Sequence, residues 1–388
     1  MKDETKLTVL GRDSRANHGI VNPPVYHAST ILFPTVEALR NRNQGPGKKY
    51  TYGLHGTPTT YALEDAVAEL EGGHDAVLTP SGLASITLVL TALLGCGDHL
   101  LVLDAVYGPT RRFCDNTLTR FGVETTYYDP LLGEEIADLI RPETKVIFVE
   151  SPASNSFEVQ DIPAIARAAH AAGALVVMDN TWASPLFFKP FEHGVDVSIQ
   201  AGTKYISGHA DVMLGSVAAT EEVMGTIRKV ALELGLNAAP DDCYLALRGL
   251  RTMAVRLGRH QETGLALARW LVEQPEVARV IHPALPSDQG YRIWKRDFLG
   301  ASGLFGVVLR SCSDKAVAAM LDGLEFFGMG FSWGGYESLI LPTDPGQERV
   351  ATTWETEGPC LRIHAGLEDV EDLKEDLRKG LDRLNQAS

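Results

Sequence analysis

The sequence predicts an α/β fold: a mostly parallel central sheet with helices on both faces, followed by a smaller α+β unit. Three observations point there. Short apolar runs alternate with helical stretches over residues 56–250, those runs are apolar throughout, and the texture changes after Leu250. A strand apolar at every position is buried on both faces, as in a parallel sheet covered by helices.

Residues 1–55 lack sustained periodicity, contain Pro23-Pro24, Pro34 and the basic Gly45-Pro-Gly-Lys-Lys49, and read as an extended arm laid on the rest of the protein or on a neighbouring subunit. From Thr60 the pattern is regular: Leu63, Ala66, Val67 and Leu70 mark a helix face that Gly72-Gly73 stops. Strands follow at Ala76–Leu78, Leu100–Leu103, Val146–Val149 and Leu175–Met178. A last one begins at Val195, where Val195, Val197 and Ile199 alternate with polar residues. Beyond Leu250 come a long helix from Thr252 to Glu273, strands near Val280–His282, Gly306–Leu309 and Leu361–Ile363, and a closing helix. That helix carries Val370, Leu373, Leu377, Leu381 and Leu384 at spacings of three and four. The expected division is therefore an arm (1–55), an α/β domain (56–250) and a smaller domain (251–388), since 388 residues exceed one typical core.

Composition narrows the function. With 45% hydrophobic and 22% charged residues the chain is too apolar for disorder. A net charge of −15 argues against a nucleic-acid partner, which needs clustered cations. The longest apolar run, Ile86–Cys96, is too short to span a bilayer, and the N-terminus lacks a signal-peptide pattern. Five scattered cysteines fit a reducing cytoplasm. No H-E-x-x-H and no Cys/His cluster supports a metal.

Ligands of parallel sheets bind beyond the carboxyl ends of the strands, and three of those ends carry unusual residues. The first runs into Pro80-Ser81-Gly82-Leu83 and a helix. Small residues at a helix start expose N–H groups that can cradle a phosphate, although Ser81 as a simple N-cap accounts for the pattern taken alone. The second ends in Asp179, an acid after four apolar residues that needs a donor or cation, or that caps its own turn. The third stops at Ala201-Gly202-Thr203 and presents Lys204, which could also snorkel to solvent. Each ordinary explanation holds singly. Together they place an anion cradle, a carboxylate and an amine along one sheet edge. Pyridoxal phosphate needs all three, for its phosphate, ring nitrogen and aldehyde. Tyr107, after another strand, is placed to stack on such a ring.

The order Ser81-Gly82, Tyr107, Asp179, Lys204, Arg362 resembles the fold-type I pyridoxal-phosphate enzymes of cysteine and methionine metabolism. So do the segments Asp179–Trp182, Ser198–Tyr205 and Gly208–Asp211, and the resemblance spans nearly the whole chain from Tyr52. Within the family, Glu150-Ser-Pro-Ala-Ser154 and Phe331-Ser-Trp-Gly-Gly-Tyr-Glu-Ser338 are most similar to the branch that cleaves cystathionine at Cβ. The γ-acting relatives usually have Asn in place of Ser154 and an aliphatic residue in place of Trp333.

The resemblance implies a role for each residue. Lys204 is the covalent anchor of the cofactor and the proton shuttle; Asp179 pairs with the ring nitrogen; Tyr107 stacks on the ring and helps activate the substrate amine. Ser81, Gly82, Leu83 and Thr203 hold the phosphate, and Tyr52 reaches the phosphate of a neighbouring subunit in a homo-oligomer, a homotetramer by analogy. Arg362, Ser332, Trp333 and Ser154 hold an amino-acid thioether substrate. The implied reaction is β-elimination of cystathionine to homocysteine, pyruvate and ammonia in the cytoplasm, with broader cysteine-conjugate cleavage or γ-chemistry on the same scaffold as alternatives. One departure stands out: Leu54 occupies a place where the family usually has a phosphate-binding Arg, and His55 follows as a candidate substitute. Two further alternatives are a hydrolase using a Ser81–Lys204 pair and a binding module without catalysis.

Overall fold

The computed structural model describes residues 1–45 and 47–387, so Pro46 of the basic Gly45–Lys49 stretch lies outside the described residues. Among the described residues the chain builds two sheets. The larger comprises β1 (Asp75–Thr79), β2 (His99–Leu103), β3 (Glu124–Tyr128), β4 (Thr144–Glu150), β5 (Leu175–Asp179), β6 (Val197–Gln200) and β7 (Gly215–Ala219), in the spatial order β1-β7-β6-β5-β4-β2-β3. All neighbours from β3 to β6 are parallel, and β7 runs antiparallel to both β1 and β6. The smaller sheet comprises β8 (Val277–Ile281), β9 (Leu304–Leu309), β10 (Leu339–Thr343) and β11 (Cys360–His364), antiparallel in the order β10-β11-β9-β8.

The uniformly apolar runs are the buried strands: Leu100–Leu103, Val146–Val149 and Val176–Met178 have no exposed surface, and they form one core with the covering helices. The first regular helix, Pro58–Glu71, starts on Thr57. The Thr57 hydroxyl accepts the Thr60 N–H while Thr60 Oγ1 accepts the Thr57 N–H, a reciprocal cap that satisfies two otherwise free donors. Gly72 ends that helix at φ +87°, a left-handed conformation that glycine adopts without steric cost. The long helix (Met253–Val272) lies within one residue of the expected bounds at each end. The closing helix (Val370–Ala387) buries Leu373, Leu377, Leu381 and Leu384 against the small sheet. Each such leucine contributes roughly 1.5–3 kcal/mol.

Three strands escape the periodic reading. β3 (ETTYY) is a half-exposed edge, β10 (LILPT) is a second edge interrupted by Pro342, and β7 (GSVAA) is short and poor in β-formers. Gly215 in β7 is sterically demanded, because a Cβ there would sit 2.2 Å from the Ser81 carbonyl oxygen. The N-terminal residues also differ from an extended arm. Asp3–Val9 is helical, Leu7 is buried in a cluster with Leu63, Val67 and Leu247, and Arg251 donates to the Leu7 carbonyl (2.7 Å). No helix among the described residues is long and apolar enough to cross a membrane.

Candidate active site

The carboxyl ends of β1, β4, β5 and β6, the segment after β2 and the loop before β10 converge on Lys204. β6 ends at Gln200, and the chain turns through Ala201-Gly202-Thr203 with the Lys204 N–H donating to the Ala201 carbonyl (2.9 Å). The smallness of that turn has a packing cause. A Cβ on Gly82 would stand 2.5 Å from Ala201 Cβ, and one on Gly202 would stand 3.0 Å from the Leu214 side chain. The helix Gly82–Leu93 thus starts directly against the β6 exit.

That helix begins on Ser81, whose Oγ accepts the Ala84 N–H (3.1 Å) and whose carbonyl accepts the Ser85 N–H (3.1 Å). The first two N–H groups, of Gly82 and Leu83, have no acceptor among the described residues. Two free donors at a helix start, beside a surface where only glycine fits, suit a phosphate. The Thr203 hydroxyl, expected at the same phosphate, instead donates to the Leu214 carbonyl (3.2 Å) and accepts the Leu214 N–H (3.0 Å).

Asp179 ends β5. Its Oδ1 accepts both the Thr181 N–H (3.0 Å) and the Thr181 hydroxyl (2.5 Å), and Thr181 Oγ1 in turn accepts the Ala201 N–H (2.9 Å). One threonine therefore ties the carboxylate to the turn that carries Lys204. Burial raises the Asp179 carboxyl above the usual range, against the pull of Thr181 and Lys204. A protonated ring nitrogen beside it would offset that penalty, so the residue fits the cofactor as well as it caps its turn.

Lys204 is half-buried, and Nζ donates to Ser332 Oγ at 2.5 Å, 5.4 Å from the Trp333 ring centroid. Burial, then the Arg362 charge, pushes its amine down to about 8, with Asp179 pulling the other way. Arg362 stands on β11 and donates through Nη2 to the Ser332 carbonyl (3.1 Å). Ser332 holds φ +80°, a left-handed conformation costly for a residue with a side chain, and it presents its hydroxyl to Lys204 and its carbonyl to Arg362. Gly334 follows at φ +85°, where a Cβ would lie 3.1 Å from Lys204 Cβ. The 332–334 loop thus lies directly on Lys204.

Tyr107 opens the short helix after β2 and is 43% exposed. Burial, then Asp179 and Glu150, raise its phenol above the ordinary value, while Arg112 and Arg362 oppose the rise. Ser154 sits in the loop after β4, its N–H donating to the Ala105 carbonyl (3.2 Å), two residues from Tyr107. The Ser81–Lys204 hydrolase pairing has no support in this arrangement: Ser81 Oγ serves Ala84, and the partner of Lys204 is Ser332.

Tyr52, Leu54 and His55 stand apart from this cluster. Tyr52 is 45% exposed with its ring edge-on to His55 (5.8 Å), and His55 Nδ1 lies 2.8 Å from Thr51 Oγ1. Leu54 and His55 line a small cavity with Thr60, Glu64 and Arg228.

Two site residues were absent from the sequence reading. Glu150 ends β4 beside Asp179, and its Oε2 accepts the Tyr107 N–H (3.0 Å). Its signal was an acid closing the run Val146–Val149, the same signature that singled out Asp179. Arg256, from the long helix, donates through Nη2 to the Tyr205 carbonyl (2.8 Å) and the Gly249 carbonyl (2.9 Å), and so fixes the turn behind Lys204. Gly208 makes room for it, since a Cβ there would meet the guanidinium at 1.9 Å. Arg256 lies 51 residues from Tyr205 with no local pattern to mark it.

Comparison with known proteins finds full-length relatives. A putative cystathionine beta-lyase from Rhizobium johnstonii is 51% identical over 97% of this chain and 95% of its own. The cystathionine beta-lyase of Salmonella typhimurium is 43% identical over 98% of each chain. Among solved structures, cystathionine gamma synthase from Xanthomonas oryzae pv. oryzae, in complex with aminoacrylate and cysteine, superposes with a TM-score of 0.90 at 34% identity, covering 100% of both chains. Residues 4–382 match the model of the Cys/Met metabolism PLP-dependent enzymes, and the chain belongs to that family.

Proposed function

We propose that the chain is a carbon–sulfur lyase that cleaves cystathionine between Cβ and sulfur, giving homocysteine, pyruvate and ammonia. The observation that carries this is the triangle of Lys204, Ser332 and Arg362: an amine pushed down to about 8 beside a guanidinium that suits an α-carboxylate. The full-length likeness to β-lyases favours Cβ over Cγ as the point of cleavage. Pyridoxal phosphate, when bound, supplies an electron sink for negative charge developing at Cα.

Arg362 binds the substrate carboxylate through two parallel N–H donors, with Ser332, Trp333 and Ser154 around it. Carboxylate and amine, once fixed, set the Cα–H bond toward Lys204 Nζ, which in its neutral form takes that proton. The resulting ammonium then delivers a proton to the leaving sulfur, so homocysteine departs as a thiol. The enamine left behind hydrolyses to pyruvate and ammonia. Asp179 would hold the ring nitrogen protonated, Gly82 and Leu83 would bind the phosphate with Ser81 and Thr203 beside them, and Tyr107 would lie against the ring. The same reading makes the enzyme a cytoplasmic homo-oligomer, a tetramer, in which Tyr52 serves a neighbouring subunit's phosphate. It also divides the chain into the arm 1–55, the cofactor domain 56–250 and the smaller domain 251–388.

The deciding assay incubates the cofactor-loaded protein with cystathionine and measures both keto acids and thiols. Equimolar pyruvate and homocysteine are expected; 2-oxobutyrate without pyruvate would overturn the reading. Arg362→Lys keeps the charge but loses the planar fork. It is expected to raise KM for cystathionine by about ten- to a hundredfold with a smaller change in kcat. An unchanged KM would remove Arg362 from the carboxylate site.

A further inference from the structure

Asp179 has a carboxylate neighbour with no part in the roles above. Glu150 ends β4 as Asp179 ends β5, and the two are in-register partners across that parallel pair. Adjacent strands lie about 4.8 Å apart, and two carboxylates so placed and withdrawn from water do not both ionise at neutral pH. The pair shares one charge, and the surrounding donors and cations decide where it resides.

Asp179 receives two donors from Thr181 at one oxygen and lies close enough to Lys204 for mutual attraction. Glu150 receives the Tyr107 N–H at 3.0 Å. The groups facing the pair are Tyr107 after β2 and Lys204 after β6, and the Arg362 charge on β11 acts on both of those. The attraction of Lys204 is directed at Asp179. Burial and the Asp179 charge lift Glu150 well above the ordinary carboxyl range, while Asp179 is lifted by burial alone.

We propose that Glu150 is a positioning residue: it stays neutral, fastens the backbone of Tyr107 at the cofactor face, and leaves the single negative charge of the pair on Asp179. A neutral carboxyl suits this place because its carbonyl oxygen still accepts the Tyr107 N–H. A second full charge there would compete with Asp179 for the pyridinium. The proposal rests on reading the site as the pyridoxal phosphate site.

The test uses purified, cofactor-loaded protein and two readouts: a pH titration of the visible absorption band, and the rate of cofactor loss after dilution into cofactor-free buffer. Glu150→Gln keeps a carbonyl oxygen and carries no charge. Its titration midpoint is expected within about 0.3 units of wild type, which is a few tenths of a kcal/mol. Glu150→Ala removes the acceptor and is expected to lose cofactor about tenfold faster. A midpoint displaced by about a unit or more in Glu150→Gln would mean that Glu150 is ionised in the loaded enzyme, and would overturn the proposal. So would a Glu150→Ala protein that keeps its cofactor as long as wild type. Should Glu150→Ala not fold, as judged by circular dichroism, the Glu150→Gln titration alone decides. A wild type that shows no visible band after cofactor addition overturns the site reading itself, which is a separate result.

Discussion

Lys204→Ala is expected to lose the visible band of the loaded protein and to cleave cystathionine slower than wild type by on the order of 10⁴-fold or more. On the proposed reading one amine serves two tasks. As the covalent anchor it would give the cofactor its visible absorption. As the base at Cα it must be neutral, which an ordinary lysine is not. Held down to about 8, its amine is neutral in about a tenth of molecules at pH 7, against a few in ten thousand at the ordinary 10.5. Desolvation and Arg362 supply that change, and Ser332 Oγ orients the nitrogen at 2.5 Å. Ser332→Ala leaves the amine in place and serves as the control: its visible band persists while Lys204→Ala is colourless. A coloured Lys204→Ala protein with a tenth or more of wild-type turnover, by the same arithmetic of barriers, would sink both the anchor and the base.

How much of this site was legible before folding depends on whether its cause is local. Lys204, Asp179 and the Ser81–Leu83 turn were visible because each follows the end of a strand that the pattern marks, and the carboxyl edge of a parallel sheet is where such ends meet. Glu150 obeys the same rule, yet the sequence reading took its segment only for Ser154. What was not visible is the register that sets Glu150 beside Asp179. The insertion of β7 between β1 and β6 was equally hidden, because Gly215-Ser-Val-Ala-Ala219 has neither alternation nor β-branched density. The smallness of residues 201–203 has a packing cause that lies outside their own segment, the close approach of Gly82 to Ala201, and the Thr203 hydroxyl turns toward Leu214. Arg256 acts on Tyr205, 51 residues away, and no short window of sequence contains both ends of that contact.

Asp104 carries the other large effect. It lies just beyond β2, three residues before Tyr107, with its side chain fully buried. Its two oxygens accept N–H groups from Val350 (3.0 and 3.1 Å), Ala351 (2.9 Å) and Thr352 (2.8 Å), and the Thr352 hydroxyl (2.9 Å). Oδ1 also pairs with Arg111 (2.8 Å), whose side chain is only 6% exposed and stacks on the Tyr127 ring at 3.7 Å. One carboxylate therefore binds the Tyr107 segment to a loop 246 residues away, on the far side of the proposed boundary near 250. Asp104→Ala would leave a buried guanidinium without its carboxylate partner, held only by the backbone carbonyl of residue 104, and three amides without an acceptor. We expect a loss of about 3–5 kcal/mol in unfolding free energy by urea titration. Asp104→Asn keeps one carbonyl oxygen and should lose less. Burial raises the Asp104 carboxyl, but the Val350, Arg111 and Thr352 donors outweigh it and hold the group below its ordinary 3.8. A carboxylate depressed in the folded state stabilises the fold above its unfolded pKa. That stabilisation is lost as pH falls from near 4 through the lower folded value. The difference in stability between wild type and Asp104→Asn should thus be constant near neutrality and shrink below about pH 4. Because the loop and Tyr107 share this anchor, Asp104→Asn should also lower kcat/KM while its far-UV spectrum stays native. A variant as stable as wild type would show that the two units are joined by other contacts.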